Sequence, residues 1–454
     1  HEAGKRFEMW ARISGTLILL LWSSAAAAID QIQLQWRTIE SAGWRLNDVN
    51  LEVDWSGSGR PEMTLEVALL ESGDYQVEKL RLSCATLKLL PAESEMQCSQ
   101  GKLSFTSDWI DAEAVPTIVN YRIGSGELKI AVSALPLAGG RVNLAFDQGH
   151  GEWRLKAELS DTLAGGIGEL LSSVGLAVPS IDYQGAISGD LSCRGDSGGV
   201  RNIAWEMRAR AFGYSNTEGT QAAEDLVLIS SGSAHPGEQG WQLQATLTAS
   251  QGVLYAEPVY LEFSQASPLG LTADVHWDVG KRELLLRSLA FSQPDIVMGN
   301  LQAAWLAGAD KPLRQLSLEI QQAWLPGLFD TWLQPWLAGS VLEKLETAGR
   351  LRGELMLVDG RPQSLSMHLD QVSLSEPNGQ FGVRAVDGDL RWDNTGVSKQ
   401  SSVAWQAANF HRLQLGPAEL ALEANQNSLR ILHPLVVSLL DGELHVDEFE
   451  LGVE

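Results

Sequence analysis

Catalysis by a serine nucleophile is the first chemistry that this sequence suggests, at the loop Gly195-Asp196-Ser197-Gly198-Gly199. A serine hydroxyl becomes a nucleophile when a histidine within hydrogen-bond reach removes its proton and a carboxylate orients that histidine. The histidines that precede Ser197 are His1, before an apolar leader, and His150, in a glycine-rich turn. If the base precedes the serine in the chain, it is therefore His150.

The loop resembles the serine loop of chymotrypsin-like proteases, in which histidine and aspartate both precede the serine. Two features depart from that pattern: His150 lacks the Ala-Ala-His-Cys context, and Val200 stands where a proline follows the glycine pair. Strand patterns flank the loop, and glycine and aspartate are typical of a turn between strands. We interpret the loop, with its embedded Arg194-Gly195-Asp196, as a turn and predict that the chain is not an enzyme. A hydrolase acting through Ser197 is the alternative.

Other side chains that could do chemistry are dispersed along the sequence. The eight histidines occur singly, no Cys-x-x-Cys is present, and no cysteine and histidine have the spacing of zinc ligands. We therefore expect no metal and no cofactor. Trp332 and Trp336 are four apart in a helical pattern and could touch a ligand or a membrane interface, although packing in a core is the commoner role.

The three cysteines, Cys84, Cys98 and Cys193, suggest one disulfide bond and one free thiol. Cys84 and Cys98 both lie on the apolar phase of their strands. A hairpin centred on Pro91 would set them opposite each other, at a Cβ separation close to that of a disulfide. We consider a Cys84–Cys98 bond, with Cys193 free; two buried, unbonded cysteines are the open alternative.

Most of the chain has the pattern of β-strands joined by tight turns. Apolar and polar residues alternate, which predicts strands with one dry and one wet face, and the units recur about every 8–12 residues, giving about two dozen strands. Because no linker divides this pattern, we predict a mainly β fold: a long antiparallel sheet curled into an elongated groove. The candidate lining residues of its apolar inner face are Val49, Leu51, Val53, Met63, Leu65 and Val67.

Two short apolar helices are expected to interrupt the strands. Residues 159–179 carry apolar residues at helical spacing, with Ser160 or Asp161 as the N-cap. Residues 324–348 predict a broken helix that starts near Pro326, breaks at the proline at 335 and resumes towards residue 345.

These helices divide the rest of the chain into three β-groove blocks, 29–158, 180–323 and 349–454. In the third block, Asp359-Gly360 and Asp387-Gly388 are predicted hairpin turns. The sequence stops within a strand pattern, so we expect the third block to be incomplete.

Residues 1–28 have the pattern of an export signal. Lys5 and Arg6 precede an apolar run, and small residues follow it, which predicts cleavage after Ala26 or Ala28. Retention as an inner-membrane anchor is the alternative. The bulk of the chain is expected in the periplasm, and its formal net charge of −24 argues against nucleic acid as a partner.

Two segments carry a resemblance to a known family: LFDTWLQPWLAGSVLEKLETAGRLRGELML, from residue 328, and SLSMHLDQVSLSEPNGQFGVRAVDGDLRWDN, from residue 364. They are similar to the AsmA-like proteins of Gram-negative envelopes, and among these to the YdbH-type intermembrane phospholipid transport proteins. The resemblance implies a periplasmic β-groove that shields phospholipid acyl chains between the inner and outer membranes. Proteins of both membranes would then be its partners. A periplasmic scaffold for outer-membrane protein assembly is the alternative.

Overall fold

Long strands that pair with their neighbours in sequence make up most of the molecule. The computed structural model describes residues 30–41, 44–55, 61–73, 75–90, 94–108, 110–173, 181–309, 311–394, 398–426 and 428–452. The predicted export signal at 1–28 lies outside these residues. The chain divides into two units: unit 1 comprises residues 1–178 and 190–201, and unit 2 comprises residues 179–189 and 202–454.

Unit 1 is an antiparallel sheet followed by a short helix, α1, Ala164–Ser173. Its strands are β1 Gln31–Ser41, β2 Trp44–Asp54, β3 Glu62–Ser72, β4 Tyr75–Cys84, β5 Leu87–Leu90, β6 Glu95–Ser107, β7 Asp111–Arg122, β8 Glu127–Leu137, β9 Gly140–Gly149 and β10 Glu152–Leu163. Each pairs with the next, except that β4 and β5 both pair with β6. β11 Asp182–Asp196 and β12 Gly199–Ser215 contribute residues to both units.

The apolar face of unit 1 is bent around a buried core. Cys84, Cys98 and Met63 are only 1–5% exposed, and strands from β3 to β7 contribute to the same cluster. A flat single sheet leaves the outer part of each side chain in water, so burial of this degree requires the sheet to curl.

A disulfide bond joins Cys84 and Cys98, whose Cα atoms are 5.9 Å apart, and Cys193 is free. The register is not the one predicted from a turn centred on Pro91. Leu90 pairs with Glu95, so the turn is centred beyond Pro91, and Cys98 lies opposite Leu87 while Cys84 lies opposite a glycine at 101. The break between β4 and β5 allows the two sulfurs to meet across this offset.

Unit 2 is also antiparallel, and its strands range from long ones near its start to short ones near residue 450. These are β13 Gln221–Gly237, β14 Gly240–Ala256, β15 Val259–Phe263, β16 Leu269–Asp278, β17 Glu283–Gln293, β18 Val297–Leu306, β19 Leu313–Leu325, β20 Glu346–Val358, β21 Arg361–Ser375, β22 Phe381–Asp393, β23 Lys399–Trp405, β24 Ala407–Phe410, β25 Leu413–Leu415, β26 Ala418–Ala424, β27 Ser428–Ile431, β28 Leu435–Leu439, β29 Gly442–Val446 and β30 Glu450–Gly452. From β12 to β22, successive long strands pair, with β15 beside the end of β14.

The predicted fold class is confirmed: the described residues form a mainly β, antiparallel structure with curled sheets and few short helical segments. Their thirty strands exceed the two dozen predicted. One predicted hairpin turn is also confirmed, because Asp359-Gly360 joins β20 to β21 with φ of 48° and 74°, as a tight two-residue turn requires.

The other predicted turn, Asp387-Gly388, is wrong, because both residues lie within β22. A Cβ on Gly388 would lie 2.1 Å from the carbonyl oxygen of Ser402 on the next strand. The glycine therefore allows a close approach of two strands, while the Asp387 carboxylate accepts a hydrogen bond of 2.8 Å from the backbone N–H of Gln371.

Both predicted helices differ from expectation: the first begins only at Ala164, and its predicted residues 174–179 lie outside the described residues. Strand β10 extends through Ser160 and Asp161 to Leu163, so neither residue caps α1. In place of the broken helix, a π-helix, Phe329–Leu333, is followed by a 3₁₀-helix, Gln334–Leu337.

The chain after this 3₁₀-helix does not resume a helix towards residue 345. Gly339, with φ of 77°, turns it back, and its N–H donates to the Glu343 carboxylate at 2.8 Å. We call residues 326–345 the cap segment. It does not divide the sheet into blocks, since β19 and β20 on either side of it pair directly.

Candidate functional site

The six candidate lining residues share one face of unit 1. Val49 lies opposite Val67, Leu51 opposite Leu65, and Val53 opposite Met63, as the alternating pattern requires. Val49, Val67 and Met63 are 2–5% exposed, whereas Leu51, Val53 and Leu65 are half-buried beside the disulfide-containing cluster.

A more open apolar face lies in unit 2. Ten directly paired residues, one from each strand from β12 to β22 except the short β15, form a continuous row across the sheet, and none of them is buried. We call this row the open face; its residues are Trp205, Gly232, Ala245, Ala273, Leu289, Leu301, Leu318, Leu355, Leu365 and Trp392.

The opposite side of the same strands is polar. The corresponding row runs through Glu206, Ser231, Thr246, Thr272, Ala290, Asn300, Glu319, Glu354, Ser366 and Arg391. Here Ser231 and Thr246 share a hydrogen bond of 2.8 Å, as expected of a solvated face. The open face is therefore one apolar side of a two-sided sheet.

The open face is wide enough for extended apolar ligands. Paired strands lie about 4.8 Å apart, so ten of them span roughly 43 Å measured along the curved sheet. This exceeds the depth of one membrane leaflet, about 15 Å, or half of the ~30 Å hydrocarbon core. Several acyl chains could lie on the face at once.

Two glycines on this side of the sheet lie beneath aromatic rings. A Cβ on Gly232 would be 2.4 Å from the Trp205 ring, and one on Gly299 would be 2.6 Å from the Phe291 ring. The Trp205 ring is fixed further by its Nε1, which donates to Ser230 at 3.0 Å. The missing side chains let the rings lie against the sheet, which broadens the apolar surface.

The cap segment closes one end of these strands. Trp332 packs against two clusters of buried residues, one on β13 to β15 and one around β18 and β19. Contact with strands this far apart in the sheet order requires unit 2 to curl around the indole. Its Nε1 donates at 3.1 Å to Gln293, which is 1% exposed, whereas Trp336 is 67% exposed.

The protease-like loop is occupied by structural contacts. A Cβ on Gly195 would lie 2.3 Å from the Trp153 ring, whose Nε1 donates to the Asp196 carbonyl at 3.3 Å. The Asp196 carboxylate accepts from the Gly198 N–H and from Arg201 Nε, each at 2.7 Å. These bonds, led by that from Arg201, hold the pKa of Asp196 below its ordinary value.

The other two residues considered for catalysis, His150 and Cys193, are not arranged as a base or a reactive thiol. His150 is 84% exposed at its side chain, and its Nδ1 lies 3.7 Å from Glu127. Partial burial raises the pKa of the Cys193 thiol, which makes it a poorer nucleophile at neutral pH.

Within the described ranges, no three metal-ligating side chains are grouped. None of the helices in the same residues has the length and apolar character of a membrane span.

Sequence reasoning chose the clearest hairpin and so missed the open face. The alternation of apolar and polar residues is equally regular in unit 2. Burial distinguishes the open face from the core of unit 1 and from the clusters beneath the cap segment. Burial depends on the curl of the sheet rather than on the period of the pattern. The sustained alternation from Trp205 to Trp392 is the signal that could have drawn attention to unit 2.

Comparison of the sequence with protein-family models and with curated proteins, and of the fold with solved structures, found no match.

Proposed function

We propose that the protein binds phospholipid acyl chains on the open face and shields them from water during transport between two membranes. The observation that carries this proposal is the row of ten apolar, incompletely buried residues across ten paired strands. In a protein core such residues would be buried, and on a solvent-facing side of a sheet most of these positions would be polar.

The energetics favour acyl chains as the ligand. Each methylene removed from water contributes about 0.8 kcal/mol, so ten methylenes held on the face contribute about 8 kcal/mol before the loss of ligand freedom is subtracted. Apolar contact alone can hold an acyl chain on the open face, without a hydrogen-bonding side chain. Such a surface suits a carrier of lipid tails better than a binding site for a polar metabolite.

The export pattern at 1–28 and the resemblance to AsmA-like proteins favour the periplasm as the site of action. Phospholipids would then be the cargo, and proteins of the inner and outer membranes would be partners at the two ends of the route. The chain's formal charge of −24 is compatible with this setting and unfavourable for nucleic acid.

A pair of adjacent substitutions tests the proposal. Leu301 belongs to the open face, and Gln302 is exposed on the polar side of the same strand. Leu301→Asp should weaken binding of a fluorescent phospholipid at least tenfold, because a carboxylate would be desolvated beneath the acyl chain. Gln302→Asp introduces the same charge one residue away and should leave binding unchanged. Equal effects of the two variants would contradict the proposal.

The alternative, a scaffold for outer-membrane protein assembly, makes a different demand. It requires a stable complex with a barrel protein while the open face carries no lipid. Purification that yields such a complex, with Leu301→Asp still active in assembly, would favour the scaffold.

A further inference from the structure

A row of tryptophans borders the apolar side of unit 2 at the end of the strands away from the cap segment. Trp241 lies directly opposite Trp277, which pairs with Leu284, and Leu284 pairs with Trp305. Trp305 is 44% exposed. We call this row, with the turns that join its strands at the same end, the tryptophan rim. The described residues of those turns are 238–239, 279–282, 307–309, 311–312, 359–360, 394 and 398.

The described turns of the tryptophan rim hold three bases, Lys281, Arg282 and Lys311, against two carboxylates, Glu238 and Asp359. Further bases begin the adjoining strands. Lys281, Arg314 and Lys399 lie 3.1–3.7 Å from Asp278, Asp359 and Asp393, respectively. Three others, Arg282, Lys311 and Arg361, are exposed and pair with no carboxylate of the described chain. Arg282 and Lys311 lie in turns, and Arg361 directly follows the next turn along the rim. These turns lie two strand spacings apart, so one unpaired positive charge occurs about every 10 Å.

The turns at the other end of the same strands are acidic. Residues 216–220, 257–258, 264–268, 294–296, 326–345 and 376–380 form this second rim. Its only base is Lys344, against six carboxylates: Glu218, Glu257, Asp295, Asp330, Glu343 and Glu376. The two borders of one apolar face therefore differ in charge, within a chain that is strongly acidic as a whole.

We propose that the tryptophan rim is the headgroup side of unit 2, so that bound phospholipids lie with their acyl chains on the open face and their phosphates beside Arg282, Lys311 and Arg361. This inference rests on the proposed function and adds an orientation to it. An indole has an apolar body and a polar N–H, which suits the level between tails and headgroups. The acidic rim repels a phosphate, and the unpaired bases attract it.

Photo-crosslinking of the full-length protein with two forms of phosphatidylglycerol tests the orientation. One form carries a diazirine in the headgroup and the other carries it at the end of an acyl chain. The headgroup probe should label residues 279–282, 307–312 and 359–361, and the acyl probe should label the open face. Equal labelling of both rims by the headgroup probe would overturn the orientation while leaving lipid binding intact. If the acyl probe fails to label the open face, the proposed function itself is wrong.

Charge variants give an independent test. The triple variant Arg282→Gln, Lys311→Gln, Arg361→Gln should bind phosphatidylglycerol about tenfold more weakly at low salt, with diacylglycerol binding unchanged because it lacks the phosphate. The control, Arg208→Gln, Arg210→Gln, Arg352→Gln, removes three exposed bases from the polar side of the same unit and should bind both lipids normally. Normal phosphatidylglycerol binding by the first triple, or an equal loss for both lipids, would contradict the proposal.

Discussion

At the residue scale, glycine marks the places where an aromatic ring must lie flat on a sheet. Gly195 lies beneath Trp153, and Gly232 lies beneath Trp205. The need for room beneath an aromatic ring thus explains both Gly195, in the protease-like loop, and Gly232, on the open face. The sequence predicted Gly195 in a turn, whereas it lies near the end of β11, just before the turn at Ser197-Gly198. The ring above it could not be predicted, because Trp153 is 42 positions earlier on another strand.

Gly232→Ala should destabilise unit 2 by about 1–3 kcal/mol, because the new methyl would meet both the Trp205 ring and the Gln244 carbonyl oxygen within 2.5 Å. Gly280→Ala is the matched control, since its Cβ would meet its nearest neighbour at 3.4 Å. Denaturation followed by tryptophan fluorescence measures both. Equal stabilities of the two variants would show that the ring moves aside without cost.

The pKa of Asp196 should lie below its ordinary value of 3.8 and rise when Arg201 becomes Gln, because the hydrogen bond from Arg201 is the largest cause of the shift. A lowered pKa in the folded state stabilises the turn above the ordinary pKa, and this contribution is lost as the pH falls through the lowered value. NMR titration of the carboxyl carbon measures the change. Ser197→Ala is the control and should leave the titration unmoved; a large shift in that variant would give Ser197 a role that the turn does not explain.

At the element scale, periodicity predicted strands well but predicted register and helices poorly. The dry and wet phases of β2 and β3 are as expected, since alternation alone decides which side chains share a face. The register around Cys84 and Cys98 depends on where the turn closes, and a proline does not determine that position. The cap segment differs from the predicted helix because its apolar residues pack against distant strands.

Thiol counting on the denatured, unreduced protein should find one free thiol, that of Cys193, because Cys84 and Cys98 are bonded. Reduction should then cost unit 1 about 3 kcal/mol of stability in the chain-entropy account, since the bond closes a loop of about 15 residues. Cys193→Ser is the control. The oxidised variant should have no free thiol and unchanged stability. Three free thiols would contradict the bond.

Trp332→Ala should destabilise unit 2 by about 3–5 kcal/mol, because it empties the space between two clusters and leaves the buried Gln293 without its partner. Trp336→Ala, four residues away and largely exposed, should change stability by less than about 0.5 kcal/mol. Chemical denaturation of the two variants gives the comparison. Similar losses would mean that the cap segment does not depend on the Trp332 indole.

At the scale of the whole molecule, the chain combines a large apolar surface with a charge of −24. The polar side of the unit 2 strands and the acidic rim keep such a surface in solution, while the open face stays available to apolar ligands. Composition indicated a globular protein and alternation predicted a β fold, whereas the packed face of unit 1 and the open face of unit 2 are distinguished only by the three-dimensional arrangement.

Lipid extraction combined with native mass spectrometry of the full-length protein, purified without added lipid, tests the central claim most directly. The account predicts bound phospholipid in the wild-type protein and in Gln302→Asp, and a much lower amount in Leu301→Asp. A folded wild-type protein that carries no lipid and takes up none from phospholipid vesicles would contradict the account.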